Sequence, residues 1–187
     1  MSSKKKIILG VTGSIAAYKA ADLIRRLQEK DFEVSVIMTK EAEAFITPLT
    51  LTSLSGNNVY RDMFDDRVSA SGAGEAWVMD HIRLAQEADL LLIAPATANI
   101  IGKIACGLAD DLLTCTAMAT AAPILIVPAM NEEMYKSKIV QSNCQKLKEA
   151  GIHFIQPVKG KLACGTTGIG HIADVDDIVK SVVKLVR

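Results

Sequence analysis

The chain has 187 residues, with 21 Lys+Arg against 21 Asp+Glu, so its formal net charge at pH 7 is zero. That balance argues against a nucleic-acid binder working by phosphate neutralisation, which needs a basic surplus to release counterions. The composition is 50% hydrophobic and only 4% aromatic, which excludes a disordered chain and calls for an aliphatic core.

The first run, Lys6 to Val11 (KIILGV), predicts a buried strand; it is too short for the apolar core of a secretory signal. Thr12-Gly13-Ser14 ends it, and Ser14 is a good N-cap for a helix over Ile15 to Lys30, where Ala17, Ala20, Leu23, Ile24 and Leu27 recur at helical spacing. Glu33 to Thr39 predicts a second strand, followed by a short helix around Lys40 to Phe45 closed near Pro48. Asp89 to Pro95 (DLLLIAP) is nearly continuous in apolar residues, as in a strand covered on both faces. The apolar stretch Leu90 to Ile101 is broken by Pro95, Thr97 and Asn99 and falls far short of the ~20 residues of a membrane span, so a cytoplasmic protein is expected. Helices follow at Ala98 to Cys106 and Asp110 to Ala121, then a strand at Pro123 to Ala129 and a helix from Glu132 to Ala150 ended by Gly151. Ile152 to Gln156 predicts a last short strand and Asp174 to Val186 a last helix. Asn57 to Asp80 and Pro157 to Gly170 read as irregular stretches, candidates for mobile flaps.

Alternation of strand and helix specifies parallel pairing with right-handed crossovers and helices on both faces. The expected fold is therefore one doubly wound α/β domain over 1–187, Rossmann- or flavodoxin-like. Ligands of such sheets bind beyond the carboxyl ends of the strands. Those ends here are Thr12-Gly13-Ser14, Thr39, Ala96-Thr97-Ala98-Asn99 and Ala129-Met130-Asn131.

Gly10-Val11-Thr12-Gly13-Ser14 joins a strand to a helix, where backbone N–H groups favour a phosphate or flavin. It has neither the GxGxxG of a dinucleotide fingerprint nor a P-loop, and Thr39 stands where a ribose-binding acid would sit. Pro95-Ala96-Thr97-Ala98-Asn99 and Pro128-Ala129-Met130-Asn131 are matched turns after the two most apolar strands. One such turn is accounted for by capping; two at one sheet edge suggest a shared ligand needing amide and hydroxyl partners. Asn131 can donate to a carboxylate while accepting elsewhere. His81, His153 and His171 are each compatible with solvated or capping roles. Cys106, Cys115 and Cys144 read as packing residues on helices, whereas Cys164, among glycines in LACGTTGIG, suits a proton donor or nucleophile on a loop. No cysteine spacing fits a metal site.

Together GVTGSIAAYKAADLIRRL, DHIRLAQEADLLLIAPATANIIGKIACGLADDLLT, PAMNEEMY and KLACGTTGIG resemble the homo-oligomeric flavin-containing cysteine decarboxylases over nearly the whole chain. PxMNxxM with ACGxxGxG and an upstream histidine carries most of that resemblance. It implies FMN held by Gly13, Ser14, Ile15, Thr39, Phe45, Thr97, Ala98, Asn99, Ile100 and Ala129. His81 matches the family's active-site histidine, Asn131 its carboxylate-binding asparagine and Cys164 its acid, with Met130 and Met134 in the substrate pocket. The implied reaction decarboxylates 4′-phosphopantothenoylcysteine to 4′-phosphopantetheine in coenzyme A biosynthesis. Thiol oxidation at the flavin would precede CO2 loss, and Cys164 would protonate during re-reduction of the ene-thiol. Tyr135 stands where relatives often have Trp, and His171 where bacterial relatives often have Arg. The resemblance also implies a trimer or a multiple of one, with FMN near a subunit boundary. It further implies a phosphopantothenate–cysteine ligase, as a separate partner or as a second domain. Rival readings are a peptidyl-cysteine decarboxylase, a flavin prenyltransferase and a non-catalytic FMN-binding regulatory subunit.

Overall fold

The computed structural model describes residues 4–63, 79–161 and 167–186. Six parallel strands form one sheet: β1 (Lys6–Val11), β2 (Glu33–Met38), β3 (Val59–Tyr60), β4 (Leu90–Ala96), β5 (Ile124–Pro128) and β6 (His153–Phe154). Their order, β3-β2-β1-β4-β5-β6, reverses between β1 and β4, as in a doubly wound Rossmann sheet. Ile7 lies opposite Val34 on one side and Leu90 on the other, so apolar residues meet in register across the centre. β4 is buried along its whole length, as its uninterrupted apolar sequence requires.

Helices cover both faces. On one, α1 (Lys19–Gln28), α2 (Pro48–Ser55) and α8 (Val175–Leu185) bury Leu23, Ile24, Leu27, Leu51, Ile178 and Val182 against Leu9, Val36 and Leu92. On the other, α3 (Asp80–Glu87), α4 (Ala98–Ala105), α5 (Leu112–Ala119) and α7 (Lys138–Glu149) bury Leu84, Ile101, Leu113 and Leu147 against Ile8, Leu91 and Ile126. A short α6 (Glu132–Lys136) follows β5. Among the described residues no helix is long and apolar enough to cross a membrane.

Several boundaries differ from the sequence reading. Pro48 opens a helix instead of closing one: Thr47 Oγ1 accepts the Thr50 N–H, proline occupies the first turn, and Gly56 caps the end at φ 72°. The first turn of the Ile15 helix is 3₁₀, over Ile15–Tyr18, and α1 stops at Gln28. The stretch from Glu132 to Ala150 is two helices, because Ser137 takes a non-helical conformation (φ −53°, ψ 131°) between them. Within Asn57 to Asp80, Val59 and Tyr60 pair with Val36 and Ile37; residues 64–78 lie outside the described residues.

Pro157 to Gly170 is not wholly irregular either. β7 (Val158–Lys161) and β8 (Thr167–His171) pair antiparallel, with Gly160 opposite Gly168. The glycines that suggested a loop allow close approach instead: a Cβ on Gly160 would lie 3.1 Å from the His171 ring. Cys106 is exposed at the end of α4 and so is not a packing residue, whereas Cys144 is buried. Burial pushes the Cys144 thiol up, and burial with the nearby Asp111 and Asp110 does the same for Cys115. Neither is a ready nucleophile.

Candidate active site at the carboxyl edge of the sheet

The switch point between β1 and β4 is tied by one buried hydroxyl. Thr12 Oγ1 donates to the Pro95 carbonyl at 2.8 Å and accepts the Thr97 N–H at 3.1 Å. Pro95 belongs to the β4 segment where register with β5 shifts, between Ile93 and Ala96. A proline is tolerated in such an inner strand because the ladder is already irregular there.

Ser14 caps the 3₁₀ turn, accepting the Ala16 N–H at 3.3 Å, and its hydroxyl lies 3.4 Å from the Ala129 carbonyl. Ala129 N donates to Ala96 O at 2.9 Å. The turns after β1, β4 and β5 are thus stitched into one rim. Gly13 packs against the chain after β2, where an added Cβ would collide with the Glu41 side chain. Thr97 caps α4 by accepting the Ile100 N–H at 3.4 Å, so the start of that helix faces the same rim. Ile100 itself is buried in the core.

Thr39 reaches the rim from β2, its N–H donating to Val11 O at 3.0 Å. Beyond it Phe45 is 45% and Ile15 57% exposed, apolar surfaces flanking the rim. Asn131 caps α6, its Oδ1 accepting the Glu133 N–H at 2.9 Å. Met130 packs partly into the core and Met134 is exposed.

His81 opens α3. The other end of that helix, Glu87, accepts from Lys6 Nζ at the start of β1, so His81 lies toward the opposite, carboxyl edge. Its neighbour Asp80 is engaged by Arg83 Nη2 at 2.7 Å, and Arg83 also donates to Tyr60 OH at 3.0 Å. Two buried polar atoms, Thr39 Oγ1 and His81 Nδ1, have no hydrogen-bond partner among the described residues. A buried polar atom without a partner costs free energy that a bound polar ligand recovers. Both orphans sit on elements that end at this rim, so its donors, acceptors and apolar flanks fit a phosphorylated flavin. Among the described residues no group of His, Cys, Asp and Glu could hold a metal ion.

Cys164 lies outside the described residues. His153 is exposed on β6, and His171 holds its Nδ1 2.9 Å from the Ile172 carbonyl. Sequence reasoning overlooked Thr12 as the residue closing the switch point, although it stands inside the GVTGS motif. It also overlooked Glu132, whose partner lies 37 residues away.

A family model described as Flavoprotein matches residues 1–187. The probable phosphopantothenoylcysteine decarboxylase of Streptococcus mutans is 45% identical over 180 residues, 95% of this chain and 97% of the relative. The Coenzyme A biosynthesis bifunctional protein CoaBC of Vibrio vulnificus is 46% identical over 170 residues, 91% of this chain but 41% of the relative. The chain therefore spans less than half the length of that bifunctional relative. A PPC decarboxylase mutant complexed with pantothenoylaminoethenethiol is similar in structure, with TM-score 0.85 at 34% identity over 97% of this chain and 98% of that one. The FMN binding protein AtHal3 gives TM-score 0.79 at 34% identity over 97% of this chain and 96% of that one. A family match along the whole sequence, on a fold whose rim suits a flavin, establishes that this chain belongs to the flavoprotein family.

Proposed function

We propose that residues 1–187 act as one FMN-dependent decarboxylase domain converting 4′-phosphopantothenoylcysteine to 4′-phosphopantetheine and CO2. The observation that carries the reading is the pair of orphaned buried atoms, Thr39 Oγ1 and His81 Nδ1, on elements that end at one rim. The likeness to a probable phosphopantothenoylcysteine decarboxylase along 97% of its length supports the choice of substrate.

Gly13, Ser14, Thr97, Ala98, Asn99 and Ile100 would hold the phosphate and ribityl groups through backbone N–H groups and hydroxyls. Thr39, Ile15, Phe45 and Ala129 would border the ring. Bound FMN would supply the reversible two-electron chemistry that the thiol-bearing carbon of the substrate needs. The net reaction takes up one proton and releases one CO2 without net oxidation, so the protein's own work is binding, orientation and proton movement.

Asn131 Oδ1 accepts the Glu133 N–H, and a side-chain amide is the kind of donor that a substrate carboxylate needs. His81 positions the substrate and moves the thiol proton. Cys164 supplies the proton that completes reduction of the ene-thiol; the complex of a PPC decarboxylase mutant with an ethenethiol supports a separable last step in that relative. Met130 and Met134 would wall the pocket. Exposed Leu49 (74%), Ile139 (74%) and Ile15 (57%) offer apolar surface for the trimer-based assembly that we propose. A phosphopantothenate–cysteine ligase, fused or separate, would supply the substrate, as the bifunctional relatives suggest.

The test is to identify the flavin released on denaturation, then compare turnover of phosphopantothenoylcysteine with that of a peptide ending in cysteine. FMN with preference for the small substrate is expected. Preference for the peptide would move the chain to the peptidyl-cysteine decarboxylases, and a colourless protein that FMN cannot reconstitute would refute the reading.

A further inference from the structure

The β7–β8 pair is joined to the turn carrying Asn131 at three points. Met130 N donates to Gly170 O at 3.0 Å. Gly170, at φ 144°, passes so close to the Met130 carbonyl that an added Cβ would strike it. Ile169 N donates to Glu132 Oε1 at 3.3 Å. The first two joints are backbone; the third depends on a side chain, that of the residue directly after Asn131.

Glu132 is well placed for this. Lys136 Nζ lies 2.9 Å from its carboxylate, one helical turn on. Lys136, the Ile169 N–H and the more distant charge of Lys159 hold its carboxyl below the usual range. On β8 a Cβ added to Gly168 would collide with that carboxylate. The strand therefore leaves room for Glu132 and offers it a donor.

We propose that Glu132 is a positioning residue, its carboxylate latching β8 onto α6 so that the strands flanking residues 162–166 are held in register with Asn131. This rests on the reading above, in which Asn131 anchors the substrate and Cys164 completes the reduction. The chain enters and leaves the Cys164 segment through β7 and β8. A latch on β8 therefore serves the last step, whereas the early steps depend on His81 and Asn131.

The experiment compares the FMN-loaded chain with E132A, E132Q, G168A and the E132A/G168A double variant, taking K136A as control. Two quantities are read: hydrogen exchange of the Ile169 amide, and the ratio of unreduced ene-thiol to phosphopantetheine at matched CO2 release. E132A and G168A should each speed Ile169 exchange about three- to tenfold while leaving the Leu92 amide unchanged. The double variant should be no worse than either single one, because both break the same contact. In a single turnover, which leaves the flavin reduced wherever the ene-thiol is released, the ene-thiol fraction should rise several-fold in all three, with CO2 release within about twofold of the parent. E132Q, which keeps an acceptor oxygen, and K136A should stay near the parent in both quantities. Unchanged Ile169 exchange in E132A would overturn the latch. Faster exchange with an unchanged product ratio would overturn its link to the last step. If the parent released no CO2, the functional reading would fail, and Ile169 exchange would still decide the latch.

Discussion

Thr12, after β1, and Pro95, in β4, are joined by a 2.8 Å hydrogen bond at the point where the strand order reverses. The same hydroxyl accepts the Thr97 N–H, so one buried oxygen fixes the separation of the two turns proposed to hold the cofactor. Thr12→Val should destabilise the protein by about 1–3 kcal/mol, because a buried carbonyl and a partly buried amide lose their partner. Thr12→Ser should keep most of that stability. Urea unfolding of the three proteins is the check; equal stability for the valine variant would show the bond to be incidental.

Thr39 gives the opposite pattern. Its hydroxyl is buried and has no partner among the described residues. Thr39→Val should leave the flavin-free protein as stable or stabilise it by up to about 1 kcal/mol, while weakening FMN roughly tenfold. Flavin titration beside thermal unfolding of the flavin-free protein tests this. A variant that loses stability and keeps FMN would place the hydroxyl's partner in the protein itself.

The start of α5 carries a pH prediction. Asp111 caps the helix through the Thr114 N–H at 2.8 Å and pairs with Lys103 Nζ at 2.8 Å. Burial raises the Asp111 carboxyl, but the Lys103 and Thr114 bonds outweigh it and hold the group below its ordinary 3.8. With the folded value depressed, its contribution is complete above the unfolded value and is lost as pH falls through that value toward the folded one. Asp111→Asn keeps a capping oxygen and should cost little at low pH but more at neutral pH. Asp111→Ala should cost about 1 kcal/mol even in acid from the lost cap. Urea midpoints between pH 3 and 7 separate the two, and parallel curves for parent and Asn variant would contradict the charge argument.

The proposed division of catalytic labour predicts two kinds of impaired protein. Cys164→Ser should still release CO2 but accumulate the ene-thiol, with reduced flavin left behind. His81→Asn and Asn131→Asp should block the early steps, the latter by setting like charge against the substrate carboxylate. Mass analysis of the products decides. Phosphopantetheine formed by the serine variant at the parent rate would remove Cys164 from the last step.

Much of the fold was legible because the central strands are buried on both faces: the runs at Ile7, Leu90 and Ile124 are nearly continuous in apolar residues, and in the run at Val34 only Ser35 interrupts them. Local chemistry at edges was harder. Thr47-Pro48 can close one element or open another, and only the Thr50 cap and Gly56 show that it opens α2. β7 and β8 are glycine-rich, and their pairing is a tertiary fact carrying no period-2 apolar signal. At the site, Ser14, Thr97 and Asn131 announced themselves as caps following strands. Thr12 is a threonine whose importance comes from a carbonyl 83 residues away, which no local pattern encodes.

The most direct measurement is CO2 released from carboxyl-labelled 4′-phosphopantothenoylcysteine by the FMN-loaded, assembled protein, with His81→Asn in parallel. The account predicts one CO2 for each phosphopantetheine formed by the parent and near-background release by the variant. Label retained in the substrate by a flavin-loaded parent, or equal release by both proteins, would contradict it.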